Sequence, residues 1–129
     1  GRNERPLTIQ APQDRILSLF VSLPEVEIEV GGERDQHRGA SVRKKRFAWY
    51  LDDHHGDGRV NVWCPAPPGV QEQMVEAEPE RFFRPPYVGG RGWLGVHLDV
   101  DPDWDELAGI VEEAFRHVAP KTVVKLLDA

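Results

Sequence analysis

Between residues 26 and 64 the chain alternates apolar and polar residues in four short runs, and the breaks between the runs have only hairpin length. VEIEV puts Val26, Ile28 and Val30 on one face and Glu27 and Glu29 on the other, as a half-buried strand does. Gly31-Gly32 ends it. GASVR and RFAWYLDD follow around a tight turn, and RVNVWC closes the series before the prolines of CPAPPG. Links this short cannot hold the crossover helices of a parallel sheet, so the strands must be antiparallel neighbours. In the third run, strict alternation assigns Phe47, Trp49 and Leu51 to one face and Ala48 and Tyr50 to the other.

Helical spacing brackets these strands. APQDRILSLFVSL has Pro12 in its first turn and a broad apolar face of Ile16, Leu17, Leu19, Phe20 and Leu23. A second helix is predicted over about 69–77, carrying Val70, Met74 and Val75. PERFFRPPYVGGRG reads as a long, rigid connection, and WLGVHLDV as a strand with Leu94, Val96 and Leu98 facing one way. DPDWDELAGIVEEAFRHVA is the strongest helical signal. Asp101 is its expected N-cap, Pro102 takes the first turn, and a face of Trp104, Leu107, Val111 and Phe115 is set to pack on the sheet. KTVVKLL is a short terminal helix. The predicted class is α+β, an antiparallel sheet with helices packed on it in the order α-β-β-β-β-α-β-α. With 129 residues, 1–129 forms a single domain, residues 1–8 being read as a frayed end.

No apolar run approaches the roughly 20 residues needed to span a bilayer, and the polar start GRNERPLTIQ has no apolar signal core, so the expected compartment is the cytoplasm. Cys64 is a single cysteine and cannot form an internal disulfide; it reads as packing. No cofactor is implied.

Charge is uneven. The chain carries 16 basic and 22 acidic residues, a net of −6, which argues against a generic nucleic-acid binder. Yet from residue 34 to residue 46 there are six cations (Arg34, Arg38, Arg43, Lys44, Lys45, Arg46) and one anion, Asp35. Arg43 to Arg46 straddle the turn between the second and third strands, at the end opposite the polar turn DDHHGDG. Such a tip can lie against phosphates, which positions a duplex without reading its sequence. As a solvated turn, its lysines instead discourage edge-to-edge sheet pairing.

Two further groups stand out. The aromatics Trp49, Tyr87 and Trp93, with Arg91 in the Gly-rich GGRG, are the materials of a concave site for a planar or anionic small molecule. Trp63 adds to an aromatic count larger than a small sheet needs. His54 and His55 in DDHHGDG invite a metal, but adjacent turn histidines point apart, and His37, His97 and Asp99 are remote in sequence; the stretch reads as a polar turn with no metal. No catalytic residues are assigned, and an enzyme ranks third.

LPEVE closing the first helix, the hairpin leading to KRFAWY, PPY followed by GW before an alternating strand, and DWDEL opening a helix that ends in APK together resemble the MmcQ/YjbR family of small bacterial proteins. The resemblance runs from about residue 12 to residue 121. It implies a compact α+β fold of the secretion-chaperone-like type and, through hairpins that look like wings, DNA binding. Where many members have Ser-Tyr in the last long helix, this chain has Ala114-Phe115, and the glycine common in the basic turn is replaced by Lys44 or Lys45. The first expectation is non-catalytic, weak and largely sequence-independent DNA binding through 34–46. The alternative is a small-molecule- or partner-binding module built on Trp49, Tyr87, Arg91 and Trp93.

Overall fold

The structure is a computed structural model that describes residues 11–129; the end expected to fray, residues 1–8, lies outside the described residues. Helix α1 (Pro12–Val21) leads into β1 (Val26–Gly31), β2 (His37–Val42), β3 (Lys45–Asp52) and β4 (Val60–Cys64). Helix α2 (Val70–Ala77), β5 (Phe82–Phe83), β6 (Leu94–His97), α3 (Trp104–Val118) and α4 (Lys121–Leu127) complete it. The six strands form one antiparallel sheet in the order β1-β2-β3-β4-β6-β5. The α+β class and the antiparallel sheet agree with the sequence pattern. One strand was not predicted: β5, two residues inside the segment read as a connection, pairs Phe82 with Val96 and Phe83 with Gly95.

The helices pack on one face. Ile16 and Phe20 of α1, Leu107, Val111, Ala114 and Phe115 of α3 and Val123 of α4 share a core with Ala40, Val42, Ala48, Tyr50, Val62, Leu94 and Val96 of the strands. Trp104 is only half-buried, with the Arg15 guanidinium 4.4 Å over its ring. Cys64 is fully buried in this core, and burial pushes its thiol up to about 12, so it is unreactive packing. Val30, predicted to face inward, is exposed, because β1 is an edge strand and its last turn of apolar alternation reaches past the helices. Among the described residues no helix is long and apolar enough to cross a membrane.

Two local expectations are corrected. The cap of α3 is Asp103, whose carboxylate accepts from the backbone N–H groups of Asp105 and Glu106, both at 3.1 Å; Asp101 sits at φ 56, outside the helix. More consequentially, Phe47 does not share a face with Trp49. Ala40 pairs with Ala48 but Ser41 pairs with Arg46, so Phe47 is the extra residue of a β-bulge. The bulge turns Phe47 into the core, edge-on to Phe20 and Phe115, and leaves Trp49 and Leu51 on the opposite face.

The β2–β3 turn is two residues long, with Arg43 at φ 50 and Lys44 at φ 68. Two positive φ values are what a type I′ hairpin requires, and glycine meets the second at least cost. Lys44→Gly should therefore stabilise the domain by about 1 kcal/mol, a rise of roughly 3–5 °C in Tm. Differential scanning calorimetry of the two proteins checks it; an unchanged or lower Tm would mean that the lysine bears no strain there.

Candidate ligand site on the helix-free face

The second face of the sheet carries its own apolar cluster. Leu51, Trp63 and Trp93 are buried there, with Trp49, Phe83 and Val88 packed against them, and none of α1–α4 contributes to it. Register explains the arrangement. Gly39, Trp49, Trp63, Gly95 and Phe83 are successive cross-strand partners on β2, β3, β4, β6 and β5. A pair of tryptophans is thus flanked by a glycine on each side, with the Phe83 ring beyond the second. A Cβ on Gly95 would lie 2.4 Å from the Phe83 ring, and one on Gly39 would lie 1.4 Å from Arg46 Nη1. The glycines make the space in which neighbouring side chains lie flat.

Arg46 uses that space. Its guanidinium carbon stands 4.2 Å over the Trp49 ring, Nε donates to Ser41 Oγ at 2.9 Å, and Nη2 donates to Glu29. Trp49 also borders a cavity of about 190 Å³, which Arg46 does not line. Trp49, Trp63 and Leu51 form its apolar walls, and His37 and His54 its polar ones. A larger cavity, about 350 Å³, shares Gly32, His37 and His54 with it and adds Arg34, Asp53 and His55.

The turn read as DDHHGDG builds the rim. Asp53 accepts from Gly58 N–H at 2.7 Å and from Arg34 Nη2 at 3.2 Å, and these two bonds, in that order, hold its carboxyl below the usual range. That brace swings the His54 ring to 5.2 Å from Trp63 and 5.5 Å from His37. Burial, followed by the neighbouring His54, lowers the His37 pKa; burial, followed by His55, lowers that of His54. Both imidazoles are neutral at pH 7. Among the described residues no group of three or more His, Cys, Asp or Glu is placed to hold a metal ion.

Of the four residues grouped from the sequence as an aromatic groove, only Trp49 lines either cavity. Trp93 is buried within the same cluster, and Arg91, exposed, stands 5.7 Å over its ring. Tyr87 is 78% exposed, with its hydroxyl 3.3 Å from His55 Nε2 at the rim. The residues missed as site walls are His37, His54 and Trp63. Trp63 was visible as a surplus aromatic, but His37 reaches the cavity by the pairing of β2 against β3, and His54 through a turn conformation, with Asp53 and His55 at φ 55 and 54, that spacing does not reveal. Buried Gln71 of α2 fixes the loop beside the cluster by donating from Nε2 to Gly89 O at 2.8 Å and to Trp93 O.

The six cations of 34–46 divide into two sets. Arg43 forms a two-pronged pair with Glu25 (2.6 and 3.2 Å), Arg46 pairs with Glu29, and Arg34 with Asp53. Arg38 donates to the carbonyls of Asp35 and His37. Lys44 and Lys45 are exposed at the tip and meet no carboxylate among the described residues. The basic run is therefore partly neutralised by Glu25, by Glu29 of strand β1 and by the Asp53 turn.

A family model for YjbR matches residues 21–117, from the end of α1 through nearly all of α3. The chain belongs to the YjbR family. In keeping with that, this YjbR-family protein is similar in fold to the crystal structure of Deinococcus radiodurans protein DR2400, a DUF419-domain protein. The TM-score is 0.71 at 18% identity, over 93% of this chain and 92% of that one. No curated protein matches the chain. Where other members were expected to carry Ser-Tyr, this YjbR protein buries Ala114 and Phe115 in the helix-side core, away from the Trp49–Trp63 cavity.

Proposed function

We propose that this protein is a non-catalytic binding module for a small planar ligand, held on the helix-free face of its sheet. The observation that carries this reading is the cavity walled by Trp49 and Trp63 and edged by two neutral imidazoles. Apolar walls with a few convergent polar groups are how small-molecule sites are built, and the adjoining 350 Å³ space falls within their usual range of about 300–1,000 Å³. Two bicyclic probes, caffeine and 1-methylindole, test it by saturation-transfer NMR. At least one should bind saturably with Kd below about 1 mM, and Trp49→Ala should weaken that binding at least about tenfold. Absence of binding by both, or binding indifferent to Trp49, overturns the reading.

Nucleic-acid binding by the β2–β3 wing is the second reading, favoured by the exposed Lys44–Lys45 tip. Because Glu25, Glu29 and Asp53 already occupy three of the arginines, it relies mainly on those two lysines. Neutralising both with Gln would then reduce the slope of log K against log salt by about two units on a labelled DNA duplex. Equal slopes for the two proteins, or no duplex binding at low salt, sink the wing.

A further inference from the structure

The helix-free face offers hydrogen-bond donors without matching acceptors. Two buried side-chain polar atoms lack a partner among the described residues, Trp63 Nε1 and Arg46 Nη1, and both are N–H donors on this face, on either side of Trp49. Native proteins leave few such groups, since an unpaired buried donor has given up its water without a replacement. Trp63 is 6% exposed and lines the smaller cavity.

His37 is a third donor, by a tautomer argument. Its Nδ1 lies 3.1 Å from the backbone N–H of Asp52, which can only donate. Nδ1 must therefore carry the lone pair, and the neutral ring bears its proton on Nε2. That opposite edge is the one toward Gly32, where an added Cβ would come within 2.8 Å of His37 Cδ2. Gly32 and His37 line the larger cavity together, and His37 lines the smaller one as well.

Three nearby side-chain acceptors are already engaged, and Glu33, exposed at the edge of the larger cavity, faces solvent. Asp53 is held by Gly58 and Arg34, Glu29 by Arg46, and Gln36 Oε1 accepts from Arg34 N–H. Net charge at the site also selects. Glu33 and Asp53 stand on the larger cavity's wall and offset Arg34, and Asp57 closes the same turn, so a free anion gains no net attraction there.

Resting on the binding reading above, we infer that the ligand is an uncharged planar heterocycle bearing carbonyl or ring-nitrogen acceptors, an oxo-purine or oxo-pyrimidine type of ring. Its faces pack against Trp49 and Trp63, and its acceptors take the N–H groups of His37 Nε2 and Trp63 Nε1. Stacking alone does not distinguish one flat ring from another; the unpaired donors do, because a ring without acceptors leaves them unpaired.

The two probes named above separate these claims in one experiment. Caffeine is planar and carries carbonyl and ring-nitrogen acceptors but no N–H; 1-methylindole is a flat bicycle with no comparable acceptor. With the wild-type full chain labelled with ¹⁵N, caffeine is expected to bind at least about tenfold more tightly and to move one Trp side-chain N–H signal downfield, a shift absent in Trp63→Phe. His37→Phe should cut caffeine affinity at least about tenfold more than that for 1-methylindole, a ratio that cancels any change of shape from losing the acceptor of the Asp52 N–H. Equal affinities for the two probes would overturn the acceptor requirement and leave the binding reading standing. No binding of either would remove both.

Discussion

Val111→Asp is expected to unfold the domain, or to lower its stability by about 4 kcal/mol or more, out of the roughly 5–15 kcal/mol typical of a domain this size. Val111 is 1% exposed and lies in the middle of the α3 face that meets the sheet, with Leu107, Ala114 and Phe115 around it. No arginine or lysine is buried among the described residues, so a carboxylate there must either stay charged without a buried partner or take up a proton at a raised pKa. Urea unfolding followed by circular dichroism measures the loss. A variant that melts within about 2 °C of wild type would show that α3 does not seal the core.

That helix was legible because its apolar period runs over fifteen residues and nothing in it conflicts. The sheet was legible for a similar reason: Val26, Ile28, Val62, Leu94 and Val96 keep strict alternation between short turns. The misread places have specific physical causes. β5 is two residues long between prolines and charges, too short to hold a period, and it exists because β6 offers it an edge. The cap moved from Asp101 to Asp103 because either aspartate satisfies the residue preference, and only the backbone of the turn decides between them.

The site was partly legible in composition and barely legible in placement. An excess of tryptophan announced an aromatic surface, yet Tyr87 and Arg91 were grouped with it because they are near Trp93 in sequence. The structure instead brings His37 and His54 beside Trp49 and Trp63, by pairing β2 against β3 and bracing the Asp53 turn with Gly58 and Arg34. The wing is similar. Six cations in a row of thirteen residues look like a free positive surface until the β1–β2 register sets Glu29 opposite Gly39, whose missing side chain lets Arg46 reach across. Charge clusters read along the chain are thus poor guides to charge left available in space.

Phe47 and Trp49 are two residues apart in one strand, and their truncation should give opposite phenotypes. Phe47→Ala should cost about 3–5 kcal/mol, the range for a buried aromatic reduced to a methyl. The ring is fully buried and edge-on to Phe20 at 6.1 Å and Phe115 at 5.4 Å, so its removal opens a cavity between α1, α3 and β3. Trp49 is half-buried on the far face, covered by the Arg46 guanidinium and bordering a cavity. Its truncation removes less packing, and Trp49→Ala should keep a cooperative urea transition while losing the affinity for caffeine. The pair tests the bulge itself. Unbroken alternation would set both rings on the Trp49 side, and Phe47→Ala would then cost no more than Trp49→Ala. A shift in urea midpoint at constant m is the quantity to compare, because it reports stability without a change in the surface exposed on unfolding. Equal midpoints for the two variants would place Phe47 back beside Trp49 and undo the separation of the helix-side core from the ligand face.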